Sequence, residues 1–190
     1  MTWFLLGGVG WAFSEYLIHR FVGHGPRRHP SPTWWRNLLP SGLAAQFNHE
    51  HLAHHADPRY FAPWWRKALA AAVALPLIGA LASLLGGAQR GLPFAVGYGA
   101  VYVLYEVLHR RIHTSAPLGP YGRWLRRNHL LHHYRTPRLN HGVTSPVFDL
   151  LFGTHAPGGS TLVVPRRAAP AWLLDERGDV KERYRLDYQV

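Results

Sequence analysis

Ten histidines fall in four short groups: His19 and His24; His51, His54 and His55; His109 and His113; His129, His132 and His133. In chain order they read H-x4-H, H-x2-H-H, H-x3-H, H-x2-H-H, so the second half repeats the plan of the first. Neutral imidazole is the commonest protein ligand for zinc, iron and copper. Ten imidazoles in two equivalent sets suggest two metal ions. Spacings of three and four put His51, His54 and His55 along one helical face, and His129, His132 and His133 along another. His109 and His113, four apart, share a side. His19 and His24, five apart, would stand about 140° from each other on a straight helix, so the helix is expected to end near Gly23 with His24 turning back. His29, His49, His141 and His155 lie outside the pattern and read as interface or outer histidines.

Two acids share this geometry. Glu15 lies one turn before His19, and Glu106 lies three residues before His109 and seven before His113. A carboxylate near a membrane is costly unless paired. One that accepts the second ring N–H of a ligating histidine fixes its tautomer and raises its basicity, and this supporting role is the expectation for both. The alternative is an ion pair with Arg20, Arg110 or Arg111.

These residues need a scaffold, and composition narrows it. A chain of 190 residues is one ordinary domain by length. It has no cysteine, which excludes a disulfide framework, a thiolate zinc site, an iron–sulfur cluster and a cysteine nucleophile. Hydrophobic residues make up 47% and charged residues only 16%, against about 25% charged in typical globular domains. That excludes disorder and favours a membrane protein. Three runs are apolar enough to cross a bilayer, which takes about 20 helical residues: residues 3–22, 68–87 and 92–108. The first has no basic region before it and ends in Glu, His and Arg, so it is expected to be retained as an anchor. The last two form a tight hairpin whose loop holds Arg90, whereas Arg66, Lys67, Arg110 and Arg111 sit at their other ends. By the positive-inside rule the histidines and the C-terminus are cytoplasmic. The net charge of +11 then serves topology and contact with anionic lipid, and nucleic acid is not an expected partner. Trp34, Trp35, Tyr60, Phe61, Trp64 and Trp65 suit the headgroup level or ordinary packing. The expected fold is all-α, an integral membrane helical bundle of about three spans with a cytosolic histidine-rich helical cap. Residues 1–156 would form the membrane domain and 157–190 a peripheral cytosolic tail.

Three other chemistries compete. A zinc-dependent membrane hydrolase would use histidines to activate water, but ten ligands are too many for one such site. A b-type heme protein needs axial histidines deeper in the spans and would leave most of these unused. A non-enzymatic metal-handling protein is the third.

The segments Glu15-Tyr-Leu-Ile-His-Arg-Phe-Val-Gly-His24, His51-Leu-Ala-His-His55, His109-Arg-Arg-Ile-His113 and His129-Leu-Leu-His-His133 resemble the histidine boxes of the membrane fatty acid hydroxylase / sterol desaturase superfamily. The stretch from Asn140-His-Gly-Val-Thr-Ser-Pro-Val-Phe-Asp149 to Phe152-Gly-Thr154 is similar to the segment that follows the last box there. The likeness runs over residues 11 to 155. Carotenoid hydroxylases share the first box and the H-x2-H-H elements, and the closing segment favours the lipid hydroxylase branch. The resemblance implies a membrane-bound non-heme di-iron oxygenase, with two Fe2+ ions on the ten grouped histidines and O2 as co-substrate. It implies hydroxylation of a lipid C–H bond, a fatty acyl chain first, with carotenoid or sterol hydroxylation or desaturation as the alternative of the same chemistry. Some members carry a fused cytochrome b5 domain; this chain has none, so a separate donor of cytochrome b5, ferredoxin or reductase type is expected to supply two electrons. The arginine bias and compact chain point to a bacterial inner membrane. His141 stands where an aromatic residue is expected, which leaves open an extra ligand or a changed substrate gate.

Overall fold

The computed structural model describes residues 1–190 and is built mainly of helices. Helix α1, Thr2–Leu17, runs into a π-helical turn, Ile18–Gly23. After a 3-10 turn, Trp34–Leu38, come α2 (Pro40–Ala56), α3 (Trp64–Gly86), α4 (Ala88–Thr114), α5 (Gly119–Tyr134) and the short α6 (Val147–Leu151). Two short strands close the chain, β1 (Leu162–Val163) and β2 (Tyr188–Gln189), paired in parallel with Leu162 opposite Tyr188. The residues divide into two compact units, Met1–Glu15 with Ala62–Leu108, and Tyr16–Phe61 with His109–Val190.

The two helices long and apolar enough to cross a membrane are α3 and α4, and they cover the expected second and third spans except Gly87. Only 6% of the apolar window of α3 and 17% of that of α4 is buried. Leu84 and Leu85 are 83% and 86% exposed. Contiguous apolar surface on this scale is not left to water, and helices satisfy their own backbone hydrogen bonds in hydrocarbon. The chain is a membrane protein. The hairpin between α3 and α4 turns on the single residue Gly87, at φ 81°, a conformation that glycine adopts without a Cβ clash.

The first expected span fares differently. Its α-helical part stops at Leu17 after 16 residues, roughly 24 Å at the α-helical rise, and the chain continues as a π turn. The change falls where the spacing of His19 and His24 no longer suits an α-helix. Within the first unit α1 lies very close to α4. A Cβ on Gly97 would stand 1.9 Å from the Phe4 carbonyl oxygen, and one on Gly7 2.0 Å from that of Phe94. Trp11 then packs on Tyr98, Tyr102 and Tyr105, with ring centroids 5.3, 4.7 and 5.5 Å away. Small residues at a membrane helix contact let backbones approach. Gly97→Leu should therefore force α1 off α4 and destabilise the protein by at least about 1–3 kcal/mol. Thermal unfolding in detergent reads this directly, and an unchanged midpoint would contradict the contact.

In the second unit the largest buried cluster joins Leu130 and Leu131 of α5 to Leu162, Val164, Trp172, Leu173, Val180, Tyr184 and Tyr188. The C-terminal segment thus supplies seven of the nine residues of that cluster. Arg126 is buried and gives its guanidinium to the carbonyl oxygens of Arg111, Ser115, Ala116 and Gly122. It ties the end of α4 to α5, and its charge is spread over four dipoles. Trp172 lies beneath it, 5.7 Å from the guanidinium carbon, and donates its indole N–H to the Ile112 carbonyl at 2.9 Å. The C-terminal segment holds the helix ends that carry five of the ten grouped histidines.

Candidate metal centre

Each histidine group is set by one element. The π turn carries the first pair: the His24 N–H bonds the His19 carbonyl at 3.0 Å, five residues back, so the pair stand one π turn apart on the same side. Their ring centroids are 5.2 Å apart. Asn48, fully buried on α2, clamps this turn. Its amide donates to the carbonyls of Val22 (2.8 Å) and Gly23 (3.0 Å), and its oxygen accepts the Arg28 N–H at 2.8 Å. Gly23 has no room for a side chain, since a Cβ would come within 2.9 Å of the His51 ring. Asn48→Ala removes three contacts and leaves the helix-end carbonyls buried without a donor. The expected cost is about 1–3 kcal/mol, together with weaker metal retention on the group that contains His24. Equal retention in variant and wild type, by chelator challenge, would argue against the clamp.

The ten histidines gather into two groups of five, each with its ligand atoms within 4.8 Å of one another: His19, His24, His51, His55 and His132, and His54, His109, His113, His129 and His133. The grouping does not follow the two halves of the sequence. The middle histidine of each H-x2-H-H crosses over, His132 to the first group and His54 to the second. Helix rotation explains it. His51 and His55 differ by about 40° around α2, whereas His54 lies about 60° from His51 on the other side. The three do not share one face as expected, and the helix presents imidazoles to two centres.

Backbone carbonyls fix the tautomers. His19 Nδ1–H donates to the His141 carbonyl at 2.5 Å, His132 Nδ1–H to that of Leu139 at 2.7 Å, and His54 Nδ1–H to that of Tyr60 at 2.8 Å. A neutral imidazole carries one N–H, so the Nε2 atom of each presents a lone pair. Yet His19 Nε2 and His132 Nε2 lie 3.0 Å apart. Two lone pairs cannot hydrogen-bond to each other, and at this distance they repel unless a cation sits between them. Other Nε2 atoms converge at similar distances, His24 with His132 at 2.9 Å, His51 with His24 at 2.9 Å, His54 with His113 at 3.2 Å, His129 with His113 at 3.1 Å and His133 with His129 at 3.0 Å. The residues present fit a pair of bound metal ions.

Electrostatics agree with neutral ligands. Burial pushes the His24 imidazole down to about 4, and His141 acts in the same direction. Burial also holds His51, His55, His129, His132 and His133 well below the ordinary histidine range, with neighbouring imidazoles adding to it. Neutral imidazole is the metal-binding form.

The fatty acid hydroxylase family model matches residues 4–154, which hold both groups of five. The chain belongs to the fatty acid hydroxylase family. It is 31% identical over 157 residues to the dihydroceramide fatty acyl 2-hydroxylase of Arabidopsis thaliana, covering 79% of this chain and 59% of that protein. It is 32% identical over 168 residues to the ceramide very long chain fatty acid hydroxylase of Saccharomyces cerevisiae, covering 80% and 37%. With the human fatty acid 2-hydroxylase it shares 30% over 155 residues, covering 81% and 39%. The chain therefore spans less than two thirds of these relatives. Among solved structures it is similar to the visible hydroxylase domain of full-length scs7p, with a TM-score of 0.61 and 29% identity over 85% of this chain and 58% of that one.

In this fatty acid hydroxylase chain three of the ligands have a main-chain carbonyl as their supporting contact. Glu106 pairs with Lys67 at 2.5 Å, and Glu15 is buried. The acceptors that orient His19, His54 and His132 are neutral carbonyls, which fix a ring without adding a charge. Both nitrogens of His19 are engaged, Nδ1 with the His141 carbonyl and Nε2 facing His132. Sequence reasoning also missed what builds the loop after α5. Asp149, fully buried, accepts the N–H groups of His141 (2.9 Å) and Gly142 (2.6 Å) and the Thr154 hydroxyl (2.8 Å). Asn140, at φ 59°, exchanges two bonds with Ala156. One rigid loop thereby delivers the Leu139 and His141 carbonyls to two ligands. The only signal in the sequence was the Asn140 to Thr154 motif, which names no partner. Of the remaining histidines His29 and His49 are exposed.

Proposed function

We propose that the chain is a membrane-bound di-iron oxygenase that hydroxylates a C–H bond of a fatty acyl chain carried by a lipid. The observation that supports it most is the facing of the His19 and His132 lone pairs within one of two groups of five histidines whose donor atoms lie within 4.8 Å of one another. Bound iron would supply the activation of O2, with two electrons from a separate donor of cytochrome b5, ferredoxin or reductase type. The chain's own residues do the rest. The ten grouped histidines hold the two ions, the carbonyls of Leu139, His141 and Tyr60 orient three of them, and the loop anchored by Asp149 keeps two of those carbonyls in place. Five imidazoles exceed the four ligands of tetrahedral zinc, which counts against a zinc hydrolase. Ligand atoms within 4.8 Å of one another leave no room for a porphyrin, whose nitrogens would need the equatorial positions.

The lipid substrate follows from helix continuity and from the relatives. His109 and His113 sit on the last two turns of α4, whose earlier turns are apolar and exposed. A metal held there lies at the level where an acyl chain leaves the hydrocarbon. The plant, yeast and human relatives are named for hydroxylating fatty acyl groups. The reading includes α1 as a third span, residues 1–156 as the hydroxylase domain with 157–190 bracing it, and a bacterial inner membrane. The basic residues around α3 and α4 support a cytoplasmic face for the histidines and the C-terminus.

The test is anaerobic loading of the detergent-purified chain with ferrous iron, read by metal content and absorption. Two irons per chain without a Soret band, followed by oxygen added to an acyl chain of host lipid, is the expected result. One zinc, a heme spectrum, or unmodified lipid with a competent donor present would overturn it.

A further inference from the structure

The 3-10 turn Trp34–Leu38 and the first half of α2 turn apolar side chains outward, on the same unit that carries the grouped histidines. Trp34 is 74% exposed and Leu38 62%, and Trp35, Leu39, Leu43 and Phe47 are exposed as well. Along α2, Leu43 and Phe47 follow Leu39 in steps of four residues, about 40° apart each, so the three form one stripe. Ala45 and Asn48, both buried, fall on the opposite side. The helix thus has a packed face and a bare apolar one.

The bare face is held by its own frame. Gln46 donates its side-chain amide to the Asn37 carbonyl at 2.7 Å, and Asn37 exchanges two bonds with Ser31, at 2.7 and 2.8 Å. A Cβ on Gly42 would stand 2.1 Å from the Arg36 carbonyl oxygen, so turn and helix meet backbone to backbone. Charge says what covers this face. Residues 16–49 hold four arginines and no acid. Arg27, Arg28 and Arg36 are exposed, and the Arg36 guanidinium carbon lies 5.4 Å from the Trp35 ring centroid. The next acid, Glu50, accepts the Tyr60 hydroxyl. A tryptophan-bearing apolar face edged by uncompensated arginine complements the headgroup level of an anionic bilayer, where indoles sit and guanidinium meets phosphate. The chain is a membrane protein, so such a surface is available to this unit at high effective concentration.

We infer that the 3-10 turn and the outer stripe of α2 insert into the surface of an anionic bilayer, giving the histidine-carrying unit a lipid contact of its own in addition to the spans α3 and α4. This contact requires no bound metal and stands apart from the proposed reaction. Phe47, at the end of the stripe, stacks on the His51 ring with centroids 5.8 Å apart and planes 10° from parallel. One helix therefore meets lipid in its first turns and offers imidazoles in its last, and the lipid contact sets the level of His51 at the bilayer.

The full-length chain has no cysteine, so a nitroxide can be placed on one introduced cysteine at a time. Leu38→Cys and Leu43→Cys are compared, in lipid discs of phosphatidylglycerol and phosphatidylcholine, with Leu77→Cys, exposed on α3, and Glu176→Cys, exposed in the C-terminal segment. Collision with dissolved oxygen reports hydrocarbon, and collision with a water-soluble nickel chelate reports water. The labels at Leu38 and Leu43 should follow Leu77, oxygen-rich and nickel-poor, while the label at Glu176 shows the reverse. The combined Arg27→Glu, Arg28→Glu and Arg36→Glu variant should shift both labels towards the Glu176 values, because each arginine at an anionic surface is worth about fivefold in binding. In phosphatidylcholine alone this variant should differ little from its parent. Nickel collision at Leu38 and Leu43 equal to that at Glu176 would overturn the inference, and so would labels shielded from both reagents, the sign of a second copy or another protein on this face. A charge reversal without effect in anionic discs would overturn the choice of an anionic surface.

Discussion

His132→Ala is expected to strip the metal from the group built mostly by the N-terminal half, although His132 belongs to the last box of the chain. His54→Ala should do the converse, emptying the group built mostly by His109, His113, His129 and His133. The crossing of these two residues carries the prediction. If each half of the sequence held its own ion, His132→Ala would spare the ion on His19, His24, His51 and His55. With the observed grouping, His132 Nε2 is the atom that His19 Nε2 and His24 Nε2 both approach, at 3.0 and 2.9 Å. Hydroxylation should fall in both variants by at least about 100-fold, the upper end of what loss of an outer partner alone costs. Element-specific spectroscopy on the variants, each retaining one ion, separates the two outcomes, and His29→Ala, on the exposed surface, should leave metal and turnover unchanged. Loss of the ion on the mutated residue's own half of the sequence would refute the crossed arrangement.

The crossing marks where sequence reading stops. Histidine spacing was enough to pick the ten residues and to place them at helix ends, because side chains three and four apart meet along a helix whatever surrounds it. Apolar run lengths found α3 and α4 because the bilayer thickness sets how many apolar residues a span needs. Which of two centres a residue serves depends on how α2 and α5 are rotated about their axes, and this is decided by packing. The π turn at Ile18–Gly23 is clamped by Asn48, 25 residues beyond Gly23, and neither partner advertises the other. The acceptors that orient His19, His54 and His132 are main-chain carbonyls, and since every residue has one the sequence cannot single them out. Arg126 counted as one more positive charge, whereas four carbonyls at the junction of α4 and α5 make it part of the frame. The C-terminal segment shows no regular period, since its core comes from scattered residues such as Leu162, Trp172 and Tyr188 that close on α5.

Without metal, the protein should lose stability steeply as pH falls below about 6.5, the ordinary histidine value. The sign follows from the depressed values. In the unfolded chain the imidazoles bind protons as pH drops through that value, while in the folded protein His24 resists down to about 4, and His51, His55, His129, His132 and His133 are held well below the ordinary range by burial. Between these limits the unfolded state carries more protons, so stability rises with pH and is lost on acidification. Above about pH 7.5 both states hold neutral rings, and this contribution is flat. Several histidines titrate together in the unfolded chain, which makes the slope steeper than a single site gives. Bound metal should raise the melting temperature throughout, and most where the rings are neutral, because protons and metal compete for the same nitrogens. The measurement is the melting temperature of the metal-free chain in detergent from pH 8 to 5, repeated for a variant with His24, His51 and His55 replaced by Gln. Wild type should show the larger drop on acidification. Equal slopes in the two would mean that these rings are solvated in the metal-free protein, and that the metal assembles the groups instead of finding them formed.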